Sequence, residues 1–515
     1  MQHYRFDLAF SDADDTLRAS ATVSARYITG GDSTLRLDLV QPTLARQGRG
    51  MTVESVHSGD RLLAYRHTGD VLLIYLGRHA VPGELVTVRI AYHGNPADAL
   101  RFGPNKHGDR TIFSDNWPDK ARNWLPTVDH PYDKATSEMV VTAPSHYQVV
   151  SNGLQVEETD LGHGMRLTHW KQSVPIATWL YTLGVAEFAV QRVGTCEGVP
   201  VETWVYRQDR DAGFHDFQEP TCDVLHFFSE RIGPFAYEKL ANVVSAAVNG
   251  GMEAASAIMY GEPSVTGTRA TNWQNVIAHE IAHQWFGNAV TEGDWDDVWL
   301  SEGFATYFTL LYREHARGRD DFVSGLAQSR ETIRKFYAET PDYRVVHDGL
   351  RDMSQVTNGM TYQKGAWTLH MLRNLIGDEA YWRGIQAYYR EHFNGNASTA
   401  DFQRAMEEAS GQSLDAFFDQ WLRQGGIPVF RAVLGRDDVN GLAVVTLIPE
   451  ASAHRFTVPV EFGIDLADGS RVTGHATITS GQPVTIPIKV ASPPRTLTID
   501  PETKLLAEWV MGTGP

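Results

Sequence analysis

The sequence predicts a multidomain α+β protein: an all-β N-terminal domain over 1–188, a mainly helical domain over 189–426 and a small β-sandwich over 427–515. Three observations predict it. The 515 residues are too many for one hydrophobic core and suggest about three domains. Apolar residues alternate at period 2 in the first and last parts of the chain, whereas the middle carries the apolar spacing of helices. Gly425-Gly426-Ile427-Pro428 punctuates the junction between the helical and the last region.

In the first region Leu35, Leu37 and Leu39 alternate with Arg36 and Asp38, and Val86, Val88 and Ile90 with Thr87 and Arg89, as in half-buried strands. Gly30-Gly31-Asp32, Val81-Pro82-Gly83 and Gly94-Asn95-Pro96 mark turns between them. From Ala189 helical patterns dominate, beginning with 217–232, interrupted by an expected strand over 242–248 and resuming over 378–423. After Pro428, expected strands over 442–447, 457–464, 472–478 and 496–499 between Gly and Pro turns suggest a β-sandwich.

The chemistry concentrates in one stretch of the helical region, 275–308, NVIAHEIAHQWFGNAVTEGDWDDVWLSEGFATYF. It contains His279-Glu280-Ile281-Ala282-His283 on a helical pattern without Gly or Pro before Gly287. Positions i and i+4 share a helix face, so both imidazoles reach one metal ion while Glu280 leans toward its open side. Two histidines leave a tetrahedral zinc short of a protein ligand, and a catalytic site adds a carboxylate and keeps the fourth position for water. Glu302, 19 residues after His283 at the head of a second apolar helical run, fits that need. Chance produces an isolated H-E-x-x-H in roughly one chain of this length in a hundred; the added W-L-S-E-G-F-A at this spacing makes chance a poor account.

At these residues the chain resembles the aminopeptidase N family of zinc metallopeptidases, whose pattern is H-E-x-x-H, eighteen residues, then Glu. The resemblance implies a thermolysin-like catalytic domain, one zinc ion held by His279, His283 and Glu302, and Glu280 as the base that activates the zinc-bound water. Ser301 stands where the family commonly has Asn. Asn249-Gly250-Gly251-Met252-Glu253-Ala254 resembles the family's G-x-M-E-N, which implies an extended edge, Gly250 to Met252, that pairs with a bound peptide, and Glu253 facing its free N-terminus. By itself G-G-M-E also suits a turn with a solvated acid. Tyr362-Gln363-Lys364-Gly365-Ala366 resembles Y-x-K-G-A, whose Tyr donates to the oxyanion, a task that suits a phenol because it gives a hydrogen bond without ionising at neutral pH.

The segment 113–131 resembles the family loop that enters the active site, matching at Pro118, Ala121-Arg122, Pro126, Asp129 and Pro131. The family's amine-binding Glu falls on Trp117 and its Gln on Asp115. Residues two apart on an extended strand point the same way, so Asp115 is a candidate substitute; the alternative is an Asp that caps a turn. The resemblance covers three domains, and larger members continue into a helical solenoid.

Composition bounds the partners. With 63 acids against 45 bases, the formal charge of −18 argues against nucleic acid or an anionic membrane. No apolar run is long enough to span a bilayer, and MQHYRFDLAF lacks the features of a signal peptide. Cys196 and Cys222 are too few for a disulfide framework, so the default expectation is a reducing, cytoplasmic compartment. Asn396-Ala397-Ser398 fits a glycosylation sequon, in that compartment by coincidence.

The reading is therefore a zinc aminopeptidase acting on peptides with a free N-terminus, its oligomeric state unread. An internally cutting peptidase of the same clan would have no use for an amine anchor at Glu253. An epoxide hydrolase of the leukotriene-hydrolase branch would need a lipid channel that nothing here signals. A catalytically dead binding protein would be expected to lack some of His279, Glu280, His283 and Glu302, and all four are present.

Overall fold

The computed structural model describes residues 1–512. The chain divides into two compact units, one of Met1–Trp295, Arg351–Val356 and Tyr388–Ser398, the other of Asp296–Leu350, Thr357–Ala387 and the chain from Thr399 onward.

In the first unit, alternation sets the sheets. Strand His3–Ala9 buries Tyr4, Phe6 and Leu8 on one face. It pairs antiparallel with Leu17–Arg26 and parallel with Ala135–Pro144 inside an eight-stranded sheet. The expected alternations hold: Leu35 and Leu37 of Thr34–Asp38, and Val86, Val88 and Ile90 of Leu85–Asn95, are all buried. A five-stranded sheet follows, in the order Phe188–Cys196, Val199–Tyr206, Leu240–Ser245, Ala257–Gly261, Gly251–Met252. Its first two strands lie ahead of the first expected helix, 217–232, at the start of a region expected to be mainly helical. In Gln191-Arg192-Val193-Gly194-Thr195, polar residues and a glycine break the apolar alternation, and the strand forms on the strength of its ladder with Val199–Tyr206.

Two helices belong here, α1 (Arg210–Arg231) and α2 (Thr271–His283). The Cys196–Cys222 disulfide joins the first strand of that sheet to α1, a single bridge and not a framework. A two-stranded ladder pairs Thr291–Glu292 with Asn396–Ala397, and the Asn396 amide donates to the carbonyls of Pro131, Thr291 and Glu292 at 2.9, 3.4 and 3.2 Å. That residue is occupied as a structural bracket.

The second unit holds the helices α3 (Trp299–Arg317), α4 (Arg319–Glu339), α5 (Gly359–Ile376), α7 (Thr399–Ser410) and α8 (Asp415–Leu422), and also α6 (Asp378–Glu391) as far as Ala387. Asn358 caps α5: its side chain accepts from Met360 N at 2.8 Å while Thr361 Oγ1 accepts from Asn358 N, a reciprocal pair that satisfies donors the helix leaves open. Helices α3 and α5 cross at Gly303 and Gly365. A Cβ on Gly303 would stand 2.9 Å from the Gly365 Cα, so neither position tolerates a side chain without separating the helices.

The chain ends in two sheets, one of four strands and one of three. The four expected strands lie within Leu442–Pro449, Thr457–Leu466, Arg471–Thr479 and Pro494–Ile499. Val429–Asp437, Val484–Lys489 and Glu508–Gly512 complete them; Val484, Ile486 and Ile488 alternate with Thr485, Pro487 and Lys489 at the period of a strand. The architecture is thus a β-rich N-terminal part, a helical middle and a β-rich C-terminal part. Among the described residues, no helix is long and apolar enough to cross a membrane.

Candidate active site

In the first unit the site is built on α2. Ile277, Ala278, Ile281 and Ala282 are buried along one face of the helix and hold it against its unit. His279 and His283 follow one another one turn apart, their rings 4.7 Å between centroids and nearly perpendicular, with the two Nε2 atoms 3.2 Å apart. His283 Nδ1 lies 3.3 Å from the carbonyl oxygen of Phe286. A carbonyl only accepts, so the proton sits on Nδ1 and Nε2 presents a lone pair. Two imidazole nitrogens on one tetrahedral zinc at about 2.0–2.1 Å each stand about 3.3 Å apart, which the observed separation matches. The donor set fits zinc.

The strand Gly251–Met252 approaches α2 backbone first. It pairs antiparallel with Ala257–Gly261, and Gly261 N donates to Gly250 O at 2.7 Å. A Cβ on Gly251 would fall 2.1 Å from Glu280 Oε1, so only glycine lets the strand lie against that carboxylate. Glu253 comes next. One carboxylate oxygen of Glu253, one of Glu280 and one nitrogen of His283 all lie within 4.8 Å of one another, and all three residues are buried. Two carboxyl groups and an imidazole nitrogen held this close offer ligand and acceptor atoms to a cation, so the cluster suits a metal or an ammonium group.

Two residues that the sequence did not single out complete this half. Gln284 Nε2 donates to the carbonyl of Glu253 at 3.0 Å, and Asn288 Nδ2 donates to the same oxygen at 2.6 Å. Both stand within the H-E-x-x-H stretch itself, but nothing in an isolated sequence says which backbone group an amide will meet.

In the 113–131 segment, Asp115 makes the contact of the second of its two expected alternatives, an Asp at a turn. Asp115 Oδ1 accepts from Trp117 N at 3.4 Å, the contact of an Asp that shapes a turn, and Arg101 Nη2 stands 3.9 Å from its other oxygen. Burial pushes the Asp115 carboxyl up, against the pull of Lys120 and Arg101. Asp115 is not in the group formed by Glu253, Glu280 and His283. Trp117 packs edge-on between Trp179 and Trp295, at 4.7 and 5.4 Å between ring centroids. Arg122 Nε donates at 3.1 Å to the buried carboxylate of Asp129, which also accepts from Thr178 Oγ1 at 2.6 Å, so these matching residues brace the segment.

In the second unit, Glu302 lies buried in the first turn of α3, where the helix dipole favours a carboxylate. Tyr362, in the first turns of α5, donates its hydroxyl to Glu302 Oε1 at 2.8 Å. The Gly303–Gly365 crossing makes that bond reachable, since each glycine sits close in sequence to one partner of the pair. Lys364 fixes α5 from its far side by donating to Tyr337 Oη at 2.9 Å and to the carbonyls of Gln424 and Gly426 at 3.3 and 3.1 Å.

The peptidase family M1 domain matches residues 218–421 of this chain, and the peptidase M1 N-terminal domain matches residues 1–180. The chain belongs to peptidase family M1. Among M1 relatives, glutamyl aminopeptidase of Bitis rhinoceros is 31% identical over 348 residues, 65% of this chain and 36% of that protein. Aminopeptidase N of Streptomyces lividans is 27% identical over 479 residues, 87% of this chain and 53% of that protein. The chain thus spans between about a third and a half of the length of these curated M1 relatives. A crystal structure of a mutant M1 zinc metallopeptidase from Deinococcus radiodurans superposes with a TM-score of 0.70 at 25% identity, covering 83% of this chain and 95% of that one. Membership in M1 implies zinc, and the histidine pair of α2 has the geometry to accept it.

Proposed function

We propose that this protein is a zinc aminopeptidase that removes N-terminal residues from peptides, with one zinc ion per chain held by His279, His283 and Glu302. The observation that carries the reading is the buried group of Glu253, Glu280 and His283 beside the paired Nε2 atoms, with the glycine strand lying directly against Glu280. A zinc ion bound there would supply Lewis acidity and lower the pKa of water toward neutrality. Glu280 takes the proton of the attacking water and delivers it to the leaving amine. Tyr362 donates to the oxygen on which negative charge develops, exchanging its bond with Glu302 for one that strengthens in the transition state. The edge Gly250 to Met252 pairs with the substrate backbone, and Glu253 receives the ammonium, which places the cut one residue from the chain end. The division into domains over 1–188, 189–426 and 427–515 is supported by the strand ladders, since a new sheet opens at Phe188 and another at Val429.

The test compares aminoacyl-coumarin substrates with their N-acetylated counterparts on zinc-loaded protein. Free-amine substrates should be turned over and acetylated ones cleaved poorly. Glu253→Ala should lower kcat/KM by roughly ten to a hundredfold, as expected for loss of a partly desolvated charged hydrogen bond worth about 1.5–3 kcal/mol. Equal cleavage of free and acetylated substrates by the native protein would overturn this reading in favour of an endopeptidase.

A further inference from the structure

We infer that Gln284 and Asn288 are positioning residues for amine recognition: together they clamp the backbone carbonyl of Glu253 and set where its carboxylate meets the substrate. The inference rests on the aminopeptidase reading and goes beyond it. The residue after Glu253 is Ala254, which offers no side-chain hydrogen bond to steady the strand. The strand Gly251–Met252 is only two residues long, at the edge of its sheet, so its own ladder holds it weakly. Both amides that compensate are fully buried, and both point at one oxygen, Gln284 at 3.0 Å and Asn288 at 2.6 Å.

Each amide is itself held. Gln284 Oε1 accepts from Ser256 N at 3.0 Å, so one side chain grips the segment on both sides of Ala254-Ala255. Asn288 is set by its backbone: its N donates to His283 O at 3.0 Å, while its carbonyl accepts from Thr291 Oγ1 at 2.8 Å and from the buried Lys134 ammonium at 2.9 Å. Ser256 adopts φ 62°, a left-handed conformation that a non-glycine residue holds only under external constraint. The constraints are visible, since Ser256 N donates to Gln284 and Ser256 Oγ accepts from Gly153 N at 2.8 Å. The chain that leaves His283 therefore carries the amine anchor with it, and the reacting carbonyl and the ammonium are registered against a common frame.

The test uses zinc-loaded, full-length variants. Gln284→Glu keeps the acceptor for Ser256 N and removes the donor to Glu253; Asn288→Leu removes the second donor at similar volume. Each should raise KM for an aminoacyl-coumarin about tenfold with kcat changed less than about threefold, as for a lost contact that serves binding in ground and transition state alike. Zinc content should be that of the native protein, and the preference for free over acetylated amine should fall by the same factor as KM rises. Asn288→Ser, which retains a hydroxyl donor on a shorter arm, should give an intermediate KM and serves where the leucine variant does not fold. Unchanged KM and unchanged amine preference in folded, zinc-loaded variants would overturn the clamp, as would a fall in kcat alone. If the native protein itself ignores acetylation, the aminopeptidase reading falls; if the native protein discriminates and the variants discriminate as fully, the clamp alone falls.

Discussion

The two units hold their parts of the chemistry by different means. Around α2 a short strand is tied to a helix by directed hydrogen bonds, with two buried amides on one carbonyl and a glycine whose missing Cβ admits the Glu280 carboxylate. Around α3 and α5 the partners are two long helices whose contact is set by sterics at Gly303 and Gly365. Hydrogen bonds position a flexible edge one atom at a time, whereas a helix crossing positions every side chain on two rigid faces at once. The first arrangement should lose function residue by residue; the second should lose it through a change in helix separation.

The sharpest break in that comparison is Glu280→Gln. The amide preserves shape and cannot accept a proton, so turnover should fall by about 10³-fold while metal analysis still finds zinc. Near native rates in the loaded variant would remove Glu280 from its role.

An effect of similar scale is confined to the second unit. His370 is buried and neutral there, with Nε2 donating to Thr503 O at 2.8 Å and Nδ1 accepting from Tyr307 Oη at 3.2 Å; burial pushes its pKa down to about 4. The unfolded chain protonates this residue near its ordinary pKa of 6.5 while the folded chain does not. Stability is therefore complete above pH 6.5 and is lost as pH falls toward 4, by roughly 3 kcal/mol from this group alone. Denaturant melts of native protein and His370→Gln across that range should show the smaller pH dependence in the variant; identical slopes would mean that His370 does not titrate as its burial dictates.

Tyr362→Phe should lower kcat by roughly a hundredfold with little change in KM, because its bond counts mainly in the transition state. A rise in KM alone would make it a substrate-binding residue. Gly303→Ala tests the crossing. Overpacking should cost about 1–3 kcal/mol in stability, read as a lowered denaturation midpoint, and should lower kcat through the Glu302–Tyr362 pair. If Gly251→Ala behaved in the same way and left metal content and stability equally affected, the distinction between the two arrangements would collapse.

The sequence by itself determined the fold class, the strand alternation at Leu35, Leu37, Val86, Val88 and Ile90, and the pairing of His279 and His283 on one helix face. These are legible because strand period, helical period and ligand chemistry are local properties, written within a few residues of one another. Only the tertiary structure decided that the polar strand Phe188–Cys196 forms against Val199–Tyr206, that Cys196 meets Cys222, and that Asp115 shapes its own turn beside Arg101. It alone placed Gln284 and Asn288 on the carbonyl of Glu253, and Tyr362 on Glu302. Those pairings join residues from 31 to 60 positions apart, and a hydrogen bond over such distances depends on where the chain has folded, which no run of neighbouring residues encodes.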